Sequence, residues 1–264
     1  MSALQAPATT SGAVSADALH EALGRVRDPE LDRPITDLGF VRTIEEHDGA
    51  VDVWLQLPTY FCAPNFAYLM VADAYDALTA VPGVRRAGIH LVDHFAAEEI
   101  NEAIAAQAGF AEVFPGQTTA DLAELRRTFQ RKAHRACLER ATQRLIGDGW
   151  PADQLAEASL ADLPDSPERD SLIRRRRELG LPTGPDTPLL LDDDGHPVPA
   201  GQAPRYLRLA KTTRVSIDAN TTWCLGLLAT RYGEGPAEPP VPGGSPSGPP
   251  RGRLDREPDR QEQP

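Results

Sequence analysis

The chain has 264 residues, 41% hydrophobic and 25% charged, enough for one large domain or two small ones around a real core. Its net charge of −12 argues against a nucleic-acid partner, which needs a basic patch, and against an anionic membrane surface. No apolar run approaches the roughly 20 residues of a membrane span.

The first residues, "MSALQAPATTSGAVSADAL", lack a charged start followed by an apolar block, so they do not read as a signal peptide. Residues 1–14 are small and polar, and disorder is expected there. Ser15 can cap a helix running to about Val26, with Leu19, Leu23 and Val26 on one face. Pro29 and Pro34 in "RDPELDRP" stop it. Phe40 to Ile44 and Val51 to Leu57 then read as two strands. Asp48-Gly49 between them is a hairpin turn signal.

A helix is expected from Pro64 to Ala80, since proline is tolerated at the first helical position. "RRAGIHLV" reads as a third strand, and Ala97 to Ala108 as a helix closed by Gly109. The order α-β-β-α-β-α gives an α/β (α+β) two-layer domain over about residues 15–116. A mainly helical extension with a short β-hairpin region is expected over 117–232. It contains helices from Asp121 to Ile146 and Ser166 to Leu179. "TPLLLDDDGHPVPAGQAPRYLRLAKTTRVSID" reads as short strands, and Asn220 caps a last helix holding Trp223, Leu227 and Leu228. Residues 233–264 are Pro, Gly and charge, the composition of a disordered tail.

The three cysteines, Cys62, Cys137 and Cys224, are widely spaced with no C-x-x-C. This pattern indicates neither a zinc knuckle nor a disulfide framework, and fits a reducing cytoplasm. Cys62 stands just before Pro64, at an expected helix start. Unpaired N–H groups and the helix dipole there favour a thiolate, the form that binds metal or attacks carbon. The alternative is an inert packed thiol. "RDPELD" places Asp28, Glu30 and Asp32 in a proline-bracketed loop that can hold a carboxylate rigidly or simply end a helix.

The lesser candidates each have a bland counterpart. His134 and Cys137 are three apart on the long helix and can share a face, as metal ligands or as core. His90 and His94 flank the end of the third strand, with Asp93, as ligands or as surface histidines. Cys224, beside Trp223, reads as core. The run Arg174 to Arg177 reads as a solvated helix face that could dock an acidic partner.

Taken in order, the motifs resemble one family. Asp28-Pro29-Glu30, then Leu38-Gly39, then Pro58-Thr59 with Cys62 and Pro64, then Phe95 and "AEEINEAIAAQAGF" are similar to iron–sulfur cluster assembly proteins of the PaaD-like and SufT-like kind. The resemblance implies a non-enzymatic role: delivering a transient iron–sulfur cluster or iron, or maturing a client such as a bacterial multi-subunit oxygenase. It implies Cys62 as ligand, with Asp28, Glu30, Thr59 and Pro64 as supporting residues. The family pattern has cysteine directly before proline, whereas here Ala63 stands there. A cluster usually takes four ligands, mostly cysteine thiolates. A homodimer, the cysteines of a client apo-protein or of the assembly machinery, or a small thiol would complete the shell. Two other readings stay open. One is an interaction module with a vestigial cysteine. The other is an enzyme with Cys62 as nucleophile and His47, His90 or His94 as base.

Overall fold

The computed structural model describes residues 14–114 and 122–233. The N-terminus and tail expected to be disordered lie outside the described residues, apart from Val14 and Gly233, and so does the boundary expected near Gly116.

The chain opens with α1 (Ala16–Leu23), which buries Leu19, Ala22 and Leu23. The "RDPELDRP" segment then folds back on itself: Asp28 N–H donates to Arg33 O (3.0 Å) and Ile35 N–H to Val26 O (3.0 Å). β1 (Val41–His47) and β2 (Ala50–Gln56) form the expected hairpin. Its turn residues Asp48 and Gly49 both have positive φ, 51° and 75°. A Cβ on Gly49 would lie 2.6 Å from Gly83 O, so space as well as backbone angle requires glycine. α2 (Pro64–Thr79) crosses over to β3 (Arg86–Val92), which pairs parallel with β2.

The sheet order is β1-β2-β3, so β2 is central. Its Val51, Val53 and Leu55 point into the core while Asp52 and Trp54 face outward. α3 (Ala97–Ala105) ends three residues earlier than expected. Gln107 turns the chain at φ 54°, and Gly109 precedes a short α4 (Phe110–Val113). One apolar core runs through these elements, from Val14 to Phe114.

The extension is helical: α5 (Leu122–Gly147), α6 (Ala152–Glu157), α7 (Pro167–Leu179) and α8 (Ala203–Tyr232). Ser166 caps α7, accepting from Arg169 N–H at 3.2 Å, and Gly180 ends it at φ 71°. A second core gathers Leu138, Leu145, Leu155, Leu172, Leu189 and Leu190. The expected hairpin region reduces to a single antiparallel bridge, Leu191 to Pro197.

The strands read beyond that bridge are instead the first half of α8, which begins at Ala203 and not near Asn220. The β-branched run "KTTRVSI" favours strand by propensity, but packing against α5 overrides it. Arg214 pairs with Glu139 of α5, and Arg140 of α5 with Asp218 at 2.6 Å. The hydroxyls of Thr212 and Thr213 each donate to the carbonyl four residues back, at 3.0 Å.

The arginine run is only partly a solvated face: Arg177 is exposed, while Arg175 and Arg176 are buried. Arg176 is fully buried and donates to Leu189 O (2.6 Å) and Pro188 O (3.1 Å), pinning the segment after α7. Burial lowers its pKa to about 10. Arg175 is buried too and forms ion pairs with Asp32 and Glu178. Arg27 joins Asp32 at 3.4 Å, and Cys137 Sγ lies 3.6 Å from the same carboxylate. Asp32 therefore ties the first core to α5 and α7.

Removing one partner of a buried ion pair leaves an uncompensated charge, which costs more than the pair's net worth. Asp32→Asn is expected to destabilise the fold by about 3 kcal/mol. A urea titration checks this by a lower midpoint at unchanged slope.

Candidate functional site

The loop between β2 and α2 carries Cys62. Pro58 and Thr59 turn the chain out of the strand, and Thr59 Oγ1 accepts from Phe61 N–H at 3.3 Å. The same hydroxyl lies 3.4 Å from Cys62 Sγ. Ala63 is the N-cap of α2 and Pro64 its first residue, so Cys62 sits one step outside the cap. The thiol is half-buried, packed against the first core.

A second loop, after β3, braces the first. Phe95 N–H donates to Tyr60 O (3.1 Å). His94 Nε2 lies 2.8 Å from Cys62 O, and Ala96 N–H donates to His94 Nδ1 at 3.2 Å. These partners fix the tautomer: Nε2–H donates to the Cys62 carbonyl and Nδ1 accepts. Burial lowers the His94 pKa, which keeps the ring neutral. His94 thus grips the backbone of the cysteine, not its sulfur.

The acidic loop approaches from the side of α8. Asp28 Oδ1 accepts from both Glu30 N–H and Leu31 N–H, at 2.8 Å each. Despite these bonds, burial raises its pKa from 3.8 to about 6. Asn220 of α8 donates to Glu30 Oε1 at 3.2 Å. Cys224, one turn further along α8, is half-buried and packs against the first core, while its neighbour Trp223 is 71% exposed. Burial, together with the charges of Asp28, Cys62 and Glu30, pushes the Cys224 pKa up to about 11. The structure therefore pairs Cys62 with Thr59 in one loop, Asp28 with the Glu30 backbone in another, and Glu30 with Asn220 of α8. Asn220, Cys224 and Leu228 recur every four residues, one helical stripe turned to the first core.

The other histidines and Cys137 go elsewhere. His90 stacks on Trp54 (4.9 Å between ring centroids) and pairs with Asp52 at 3.0 Å on the outer sheet face. His47 ends β1 at the hairpin, opposite Ala50. His134 is fully buried, and burial with Arg176 and Arg135 nearby lowers its pKa to about 4. Cys137 faces Asp32, and burial raises its pKa. Among the described residues, no three His, Cys, Asp or Glu side chains gather into a single-ion site.

Exposed aromatic side chains cluster on the cysteine loop and the loop after β3. Tyr60 meets Phe61 edge-on at 5.1 Å, and Phe95 lies 6.3 and 6.4 Å from these two rings. Phe61 is 77% exposed.

Residues 16–91 match the family model described as iron–sulfur cluster assembly protein. The match spans well under half of the chain and bears out the resemblance carried by Asp28-Pro29-Glu30, Leu38-Gly39 and the Cys62 loop. It ties this segment to iron–sulfur cluster assembly in general. No curated protein and no solved structure matches the chain. Among the described residues, no helix is long and apolar enough to cross a membrane.

A carboxylate whose pKa is raised on folding destabilises the native state when ionised. Its contribution is intact below the unfolded pKa and is lost as pH rises through the folded one. Asp28→Asn keeps the oxygen that the two amides need. The variant is expected to exceed the parent in stability at pH 8 by about 1–3 kcal/mol, with the gain gone below about pH 4. Denaturant midpoints across that range measure it.

Proposed function

We propose that this protein carries an iron–sulfur cluster, or iron, and helps insert it into client apo-proteins without turning over a small molecule. The observation that carries the reading is the half-buried Cys62 thiol, set among exposed aromatic side chains within the segment that matches the assembly family. A carrier has to hold its cargo and then release it. One loop thiol with incomplete protein ligation suits that task better than a closed four-ligand cage.

The aromatic rim gives the transfer partner an apolar landing surface beside the thiol. Exposed clusters of this kind mark interaction sites. The likeness to PaaD-like and SufT-like proteins extends the proposal to metalloenzyme clients such as a multi-subunit oxygenase. The catalytic alternative has less support: both nitrogens of His94 are engaged by backbone groups, and His90 is held by Asp52. Neither is aligned as a base for Cys62.

The test is anaerobic reconstitution of wild type and Cys62→Ser with iron and sulfide, read by visible absorbance and bound-iron assay. Wild type is expected to retain both elements and the variant to lose most of them. Equal retention, or none by either protein, overturns the reading. Phe61→Ser is expected to leave loading unchanged and to slow transfer to an apo-ferredoxin several-fold, followed by the acceptor's visible circular dichroism.

A further inference from the structure

A cavity of about 150 Å³ lies where the loop after α1 meets the helical extension. Three elements wall it. The loop gives Arg27 and Asp32, α5 gives Cys137 and Arg140, and α7 gives Glu168, Ser171 and Arg174. The residues from each helix recur at a spacing of three, so each helix turns one side to the same space.

The charges around this cavity are unevenly satisfied. Arginines outnumber carboxylates in its lining by three to two, in a chain whose net charge is −12. Asp32 is already engaged three times, by Arg27 at 3.4 Å, by Arg175 and by the Cys137 thiol at 3.6 Å. Glu168 is exposed, where water and salt screen its charge. The thiol adds no negative charge, because burial raises its pKa.

The arginines have donors to spare. A guanidinium carries five N–H groups. Among the described residues, each of the three hydrogen-bonds through a single nitrogen: Arg27 to Asp32, Arg140 to Asp218 at 2.6 Å, and Arg174 to Glu178 at 3.4 Å. Two of them also oppose each other. Burial, and after it the charge of Arg174, lowers the Arg27 pKa to about 10, which leaves Arg27 charged at neutral pH. Like charges held around one cavity are relieved by a counter-ion placed between them.

We propose that this cavity binds a small tetrahedral oxyanion of the phosphate class, held by Arg27, Arg140 and Arg174 with the Ser171 hydroxyl as a further donor. Guanidinium forks arriving from three elements suit an anion with oxygens on several sides, whereas a planar carboxylate is satisfied by one fork. The space is well below the roughly 300 Å³ at which sites for drug-sized ligands begin, so it fits the anion itself or the phosphate end of an ester. Cys137, Arg140, Ser171 and Arg174 all lie beyond the family match at residues 16–91, so the site belongs to the extension and its junction with the matched segment. The bound anion bridges that junction.

Calorimetric titration of the full chain with inorganic phosphate at neutral pH, with chloride holding the ionic strength constant, tests the site. Wild type is expected to bind one equivalent. Arg140→Gln and Arg174→Gln are expected to bind about tenfold more weakly or worse, the loss of a charged hydrogen bond. Arg177→Gln, on the exposed side of the same helix, is expected to bind as wild type does. Thermal melts without phosphate show which variants fold. Arg174→Gln decides if Arg140→Gln does not, since Arg174 gives up only its 3.4 Å pair within α7. No binding by wild type at millimolar phosphate overturns the proposal. So does undiminished affinity in Arg174→Gln, or a phosphate-induced rise in melting temperature that chloride alone reproduces. A second titration with O-phosphoserine identifies the source: tighter binding than phosphate supports the end of a phosphate ester as occupant, and weaker binding supports the free anion.

Discussion

The carboxylate of Asp32 holds the two halves of the molecule in register. It receives Arg27 from its own loop, Arg175 from α7 and the thiol of Cys137 from α5. Buried charges of this kind add little net stability, but they are unforgiving of misplacement, because an unpaired partner cannot reach water. The same short loop supplies Glu30 to Asn220 of α8, with Asp28 accepting from the Glu30 amide. The position of the helical extension thus depends on one turn of chain.

That turn carries strain of its own. Asp32 sits at positive φ, and Asp28 is buried with its pKa lifted toward neutrality. A fold optimised for stability alone would not bury that carboxylate.

The first core was legible in the sequence because each element is locally marked. Asp48-Gly49 fixes the hairpin, Pro64 the start of α2, and the alternation from Val51 to Leu57 the central strand. These are short-range signals, and short-range physics decides them. The failures all involve long-range partners. The α8 segment carries strand-favouring residues and is helical because α5 offers ion pairs along its length. The run Arg174 to Arg177 looks solvated until carbonyls near Leu189 and the Asp32 carboxylate are brought to it. Cys224 could be placed on a helical stripe, and the docking of that stripe sets it against the first core.

Helix α8 is 30 residues long, a rod of about 45 Å. Ala203, Tyr206 and Leu207 belong to the second core, and Cys224, Leu225 and Leu228 pack on the first. The family match ends at Leu91, more than a hundred residues before this cover arrives in the chain. The matched segment is therefore not a self-sufficient part. Excised, it would leave bare the ground under Leu228 and the Leu57 carbonyl that Arg231 serves, so the boundary drawn by similarity and the boundary drawn by burial fall in different places.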